Sequence, residues 1–349
     1  MSAPFIFTLP DSLSAKEPPE RRGIPRDQVR LMVIDRHTFQ VEHNRFDRVG
    51  EFLNRGDLLV FNSSRTLPAT LTGTERQTGL RLQIRLAQRL PNQDWLALLV
   101  CESGEPFACG LRSGMQIDFG RDLTATVGDH DSQIPRLWQL RFSQSGTKLL
   151  DLLYQLGQPI RYEYVASAWG LDDYQTVYAK EPGSAEMPSA GRAFTWQRLF
   201  DLKRRGIETT QIVLHTGLSS YLDDELDAQH PASEEEYFIS EAAAQKINQA
   251  RIAGKRVIAI GTTVVRTLES VVAATGRVQA GHSYTRLHIH ANHRLQAVDG
   301  LLTGLHEPEA SHLDLLTAFL PASVIQSAYQ SAIAQGYLWH EFGDVNLIV

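Results

Sequence analysis

The sequence predicts an α/β fold: a mostly parallel sheet with flanking helices, plus an inserted small antiparallel β-barrel. Three observations predict it. Strand and helix patterns alternate through the second half of the chain, which implies a parallel sheet covered by helices. A block of short strands with no helical period lies ahead of that half. Strand material also precedes the block, so the economical architecture is a β domain inserted into an α/β domain.

Each element follows from local pattern. Residues 30–62 mix strand-like and helical texture and end in GDLLVFN, an apolar strand closed by Asn62. From about Thr70 to Ser145 the pattern alternates in LRLQIRLAQRL, DWLALLVCES, MQIDFG, LTATVGDH and LWQLRFSQ, with turns at PNQD, SGEP and RSG. Short strands spaced this way read as a small antiparallel barrel or sandwich. From about Lys148 the texture changes. FTWQRLFDLKRRG places Trp196, Leu199, Phe200 and Lys203 at helical spacing and stops at Gly206. IETTQIVLHTG is a strand, EAAAQKINQARIAG a helix ending at Gly254, and KRVIAIGTT a strand with a turn. VVRTLESVVAATG is the next helix and AVDGLLTG another strand. Ile325, Ala328, Tyr329, Ala332 and Ile333 mark an amphipathic helix near the end. The expected domains are 1–69 together with 148–349 as a discontinuous α/β catalytic domain, and 70–147 as the inserted barrel.

Composition narrows the class. The chain has 349 residues, comfortable for two domains, and 42% of them are hydrophobic, enough for real cores. The net charge of -6 argues against nucleic-acid binding by bulk electrostatics, but leaves room for a local docking patch. The two cysteines, Cys101 and Cys109, lack metal or redox-motif spacing and read as reduced thiols. The N-terminus has no signal-peptide pattern and no apolar run is long enough to span a membrane. The expectation is a soluble, cytoplasmic monomer with no membrane contact.

Ligands in open α/β sheets bind beyond the carboxyl ends of the strands. Three loops follow strands directly: His215-Thr216-Gly217, Gly261-Thr262-Thr263, and Thr303-Gly304-Leu305-His306. If they converge, they form a pocket. The Gly261-Thr262-Thr263 loop also opens a helix, whose first N–H groups favour a carboxylate or phosphate. Thr262 is the natural N-cap, although Val265 leaves no capping box; the plainer reading is a turn. His215 and His306 are candidate general bases, since histidine titrates near neutrality, though a lone loop histidine is more often structural. The acidic run Ser233-Glu234-Glu235-Glu236-Tyr237 is either a solvated face or an attractor for a cation, with Tyr237 offering a π face. Arg65, in FNSSRTLPATL, either clamps a carboxylate or pins the domain junction. His282, His288, His290 and His293 invite a metal. His288 and His290 would share one strand face, yet no cysteine or carboxylate joins the four at ligand spacing, so none is expected.

Together these segments resemble the S-adenosylmethionine:tRNA ribosyltransferase-isomerase family of queuosine biosynthesis. The resemblance runs nearly end to end. It covers FIFTLPDSLSA, GDLLVFNSSRTLPATL, YQTVYAKEPGSAEMPSAGRAF, LHTG, VIAIGTTVVRTLES, LTGLHEPEASHLDLLTAF and YLWHEFGDVNLIV. It implies S-adenosylmethionine as a ribosyl donor and 7-aminomethyl-7-deazaguanine in tRNA as acceptor. The ribosyl group would be isomerised to the epoxycyclopentanediol of epoxyqueuosine, with adenine and methionine leaving. On this basis His306 is the expected general base, supported by His215. Gly261, Thr262 and Thr263 would hold an anionic part of the donor, and Arg266 would clamp it. Glu236 and Tyr237 would face the sulfonium or the acceptor amine. Departures from the family phrases fall at Arg192, Ala193, Ser219, Glu234, Val264, Gly304, Leu305 and Glu307. They leave two rival readings: a related enzyme with a small-molecule acceptor, and a non-catalytic nucleoside-binding protein.

Overall fold

A computed structural model of the chain describes residues 5–101, 110–162, 164–165, 167–227, 234–272, 276–308 and 310–349. Cys109 and Ser233 lie outside them; Cys101 is a free, half-buried thiol. The strands, in chain order, begin with β1 (Arg30–Ile34), β2 (Val41–Arg45), β3 (Leu58–Asn62) and β4 (Ser64–Thr66). The barrel follows as β5 (Thr70–Glu75), β6 (Arg81–Arg89), β7 (Trp95–Cys101), β8 (Gln116–Gly120), β9 (Leu123–His130) and β10 (Leu137–Phe142). The remainder are β11 (Glu181–Ser184), β12 (Glu208–Leu214), β13 (Glu235–Ile239), β14 (Val257–Ile260), β15 (Gly281–Thr285), β16 (Gly300–Gly304) and β17 (Val345–Ile348).

Nine strands form one sheet in the order β15-β13-β12-β3-β14-β16-β17-β1-β2. Its centre, β12-β3-β14-β16, is parallel, as the strand–helix alternation predicts. The margins are antiparallel at β15/β13, β13/β12, β16/β17 and β1/β2, so the sheet as a whole is mixed. The central strands LLVFN and VIAI are buried throughout, because helices or loops cover both faces. Their side chains divide by pleat. Leu58 and Val60 join a core with the helices Glu241–Ile252, Thr262–Val271 and Ala322–Ala334. Leu59 and Phe61 join the opposite core with Phe46, Phe194 and Leu202.

The barrel strands close in the order β10-β7-β6-β5-β8-β9 around their own apolar core. The chain leaves the barrel through the helix Gly146–Leu156. Entry and exit are clasped together: Thr70 and Gln158 exchange N–H···O bonds of 2.9 and 2.8 Å. Gly157 makes the clasp possible, since a Cβ there would meet Pro68 O at 2.1 Å. Among the described residues no helix is long and apolar enough to cross a membrane.

Two local expectations change. The helix Trp196–Arg204 forms, capped by the Thr195 side chain accepting from Arg198 N at 3.1 Å. However, it buries Leu202 and turns Trp196 and Phe200 outward, at 54% and 57% exposure. His288 and His290 follow β15 in a non-strand segment and share no strand face.

Candidate functional site

The parallel strands all end on one rim: β3 at Asn62, β12 at Leu214, β14 at Ile260 and β16 at Gly304. The loops leaving that rim enclose a cleft of about 590 Å³. Asn62 sets the rim's geometry. Buried at the end of β3, it donates through Nδ2 to Leu214 O at 2.8 Å and accepts from Leu214 N at 3.0 Å, replacing the ladder where the strands part. Its Nδ2 also reaches Thr263 Oγ1 at 3.4 Å.

Gly261, Thr262, Thr263 and Arg266 line the cleft. Gly261 is the N-cap of the helix Thr262–Val271, so the structure corrects the expected cap by one residue. Its φ of 102° with ψ of 150° is a conformation open to glycine alone, and this releases the chain from β14 into the helix. The first N–H groups of a helix have no intrahelical acceptor, and here that helix start borders the cleft. Arg266 is half-buried one turn further on, and desolvation pulls its guanidinium down to about 10. It donates to the Glu235 carboxylate, so it reaches the cleft as half of an ion pair rather than as a free clamp.

His306 also lines the cleft. Its Nε2 lies 2.9 Å from Thr303 Oγ1, and its ring stacks on His312 at 4.7 Å with an 8° interplanar angle. The His306 carbonyl accepts from Trp339 Nε1 at 3.1 Å, which fixes the loop to the C-terminal segment. Burial lowers the imidazole to about 4. It is therefore neutral near pH 7 and able to accept a proton.

The cleft lining also carries residues that sequence patterns did not single out. Glu186 accepts from the Tyr162 hydroxyl and, at 2.7 Å, from Ser219 N. Burial raises its carboxyl to about 7. Glu341 accepts from the Tyr164 hydroxyl, and burial raises it as well. Tyr162, Tyr164 and His340 stack in a row, with centroids 5.9 and 4.1 Å apart. The hydroxyls of Thr66 and Tyr174, both on the cleft wall, are buried with no hydrogen-bond partner among the described residues. The available signal was a carboxylate set in an apolar phrase, SAEMPSAG for Glu186 and YLWHEFG for Glu341.

Other expected site residues lie elsewhere. His215 does leave β12 on the same rim, but its ring turns away from the cleft. It lies against Gly183, where a Cβ would meet it at 2.4 Å, and its Nδ1 is 2.7 Å from Ser64 Oγ. Burial lowers it to about 4. Thr216 and Gly217 face the cleft in its place. Glu236 shares a small second cavity with His215, where it meets Arg89 at 3.4 Å and His282 Nε2 at 2.7 Å. Strand alternation explains the miss: Glu235, one residue earlier, points into the cleft. Tyr237 packs in the main apolar core. Arg65 is half-buried on β4, opposite Pro182 of β11, on the path into the barrel and outside the cleft lining. Of the clustered histidines weighed and set aside as metal ligands, His288 pairs with Asp314 at 3.4 Å and His293 with Glu269 at 3.3 Å. Among the described residues no group of three or more His, Cys, Asp or Glu could hold a metal.

The family departures divide the same way. Ser219, Gly304, Leu305 and Glu307 line the cleft. Arg192 instead braces the N-terminal segment, donating to Asp173 O and Glu20 at 2.9 Å. Ala193 and Val264 are core residues, and Glu234 pairs with Arg286 at 2.9 Å.

Comparisons agree over the whole chain. The family described as queuosine biosynthesis protein matches residues 2–348. The S-adenosylmethionine:tRNA ribosyltransferase-isomerase of Natranaerobius thermophilus is 37% identical over 350 residues, covering 99% of this chain and 98% of that one. The enzyme of the same name from Desulfitobacterium hafniense is 36% identical over 349 residues, with the same coverage. A crystal structure of S-adenosylmethionine tRNA ribosyltransferase from Thermotoga maritima superposes with a TM-score of 0.55 at 28% identity, covering 99% of both chains. A match of this length and order shows that the chain belongs to the S-adenosylmethionine:tRNA ribosyltransferase-isomerase family of queuosine biosynthesis proteins.

Proposed function

We propose that the protein transfers the ribosyl group of S-adenosylmethionine to 7-aminomethyl-7-deazaguanine in tRNA and isomerises it, releasing adenine and methionine. One observation carries the reading: the half-buried His306 imidazole and a helix start with no side-chain cap share a single cleft. The sulfonium acidifies the 5′ carbon beside it, and His306 takes that proton. Adenine is then expelled, the acceptor amine bonds to the rearranged ribosyl carbon, and the ribosyl C–S bond breaks with its electron pair going to sulfur, releasing methionine. The N–H groups of Thr262 and Thr263 hold the donor's carboxylate. Glu186 and Glu341, rather than Glu236, face the cationic part of donor or acceptor. The row Tyr162–Tyr164–His340 offers planar faces for a base. We further take 70–147 as an inserted domain, consistent with the Thr70–Gln158 clasp, and the protein as a monomer that uses no metal and works in the cytoplasm.

The test is mass spectrometry of the products formed from S-adenosylmethionine with tRNA bearing the deazaguanine base. Adenine, methionine and a heavier tRNA nucleoside are expected. Adenine released equally without tRNA would move the acceptor to a small molecule. No adenine in either case would remove the reaction.

A further inference from the structure

The protein carries a net charge of -6, so an RNA substrate has to be held by a local basic surface. One lies on the rim that bears the cleft. Arg30, Arg45 and Arg48 surround an open cavity of about 540 Å³, with His43 and Tyr337 in its wall. The register places it. Gly304 pairs with Val345, Val345 with Leu31, and Leu31 with Asn44. Three strand spacings thus separate the end of β16 from the end of β2, roughly 14 Å.

Two features set this cavity apart from a chance cluster of arginines. Arg30 and Arg45 are directly opposed across β1 and β2. Like charges so placed are destabilising, and a bound anion would relieve them. Their acidic neighbours offset this weakly: Arg45 meets Asp47 at 2.7 Å and Arg48 meets Glu51 at 3.8 Å, each through an exposed arginine side chain. Beside the cavity, the helix Trp196–Arg204 packs on the turn Phe46–Glu51, where Arg198 donates to Asp47 O at 2.8 Å. That helix presents the rings of Trp196 and Phe200 to solvent, with centroids 6.3 Å apart. Exposed aromatic faces next to arginines are what unpaired bases stack on.

We infer that the Arg30–Arg45–Arg48 cavity and the Trp196–Phe200 face form the docking surface for the RNA backbone that delivers a base to the cleft. This rests on the proposed reaction and names the surface that its acceptor uses.

The test compares the wild-type protein with an Arg45→Glu/Arg48→Glu double variant. Both side chains are exposed, so folding is preserved, whereas Arg30 is bound to the Gln335 carbonyl and is left intact. The probe is an unmodified tRNA transcript, titrated from about 50 to 200 mM salt. Affinity should fall about tenfold or more, and the slope of log affinity on log salt should flatten by about 1 to 2. Binding of S-adenosylmethionine should not change. Equal tRNA affinity and equal slopes for the two proteins overturn the inference. So does a cavity that takes up inorganic phosphate while tRNA binding ignores the substitutions. A wild type that binds tRNA through these arginines yet releases no adenine keeps the surface and loses the reaction. A wild type that makes product with tRNA binding insensitive to them does the reverse.

Discussion

His306 and Glu186 line one cleft, and burial pushes each towards its neutral form. The consequences differ. Burial lowers His306 to about 4, so its ring is unprotonated across the neutral range and has a nitrogen lone pair to offer. His306→Ala should lower adenine release by about 100-fold or more, with far-UV circular dichroism unchanged. Undiminished turnover would take His306 out of the mechanism. Glu186 changes charge at about pH 7. It is protonated below and a carboxylate above, so affinity for a cationic ligand rises as pH climbs through that value. Calorimetry with S-adenosylmethionine should show tighter binding at pH 8 than at pH 6. Glu186→Gln should flatten the difference, and a retained pH dependence would count against the assignment.

Strand ends and helix starts set the precision of the site. Gly261 holds a backbone conformation that side-chain-bearing residues rarely adopt, although a Cβ there would have room, its nearest neighbours being 3.4 and 3.5 Å away. Gly261→Ala should therefore cost about 1–3 kcal/mol through strain alone and shift the helix start that borders the cleft. Chemical denaturation would read the first effect, and the KM for S-adenosylmethionine the second. Asn62 is the other hinge of the rim. Asn62→Ala leaves the N–H and C=O of Leu214 without partners and should cost about 1–3 kcal/mol. A midpoint within experimental error of wild type would show that water replaces the side chain. The helix Trp196–Arg204 carries a different lesson. Its spacing was readable, but Trp196 and Phe200 form a solvent-facing stripe, because Leu202 and the arginines on the other side make the contacts. Periodicity identifies a helix without saying which side is covered.

At the level of the molecule, a mixed sheet and a closed barrel are joined at the Thr70–Gln158 clasp, where Gly157 passes Pro68 O too closely for a side chain. Gly157→Ala should destabilise by about 1–3 kcal/mol by forcing the clasp apart, which a thermal melt would record. Much of this architecture is legible in one dimension. Alternation of period two marks the barrel, apolar runs closed by turns mark β3 and β14, and motif order marks the family. The convergence of the loops after β3, β12, β14 and β16 follows too, since parallel strands place their carboxyl ends on one side. The direction of each side chain at the rim was settled by the fold alone. Glu235 rather than Glu236 reaches the cleft because a strand reverses its faces at every residue and register is a property of pairing, and Thr216 rather than His215 reaches it because the loop after β12 lays the imidazole against Gly183 and Ser64. The tyrosine–glutamate wall is a tertiary product as well: Tyr162 meets Glu186 and Tyr164 meets Glu341 only when segments far apart in the chain are packed together, and burial is what gives those carboxylates their chemistry.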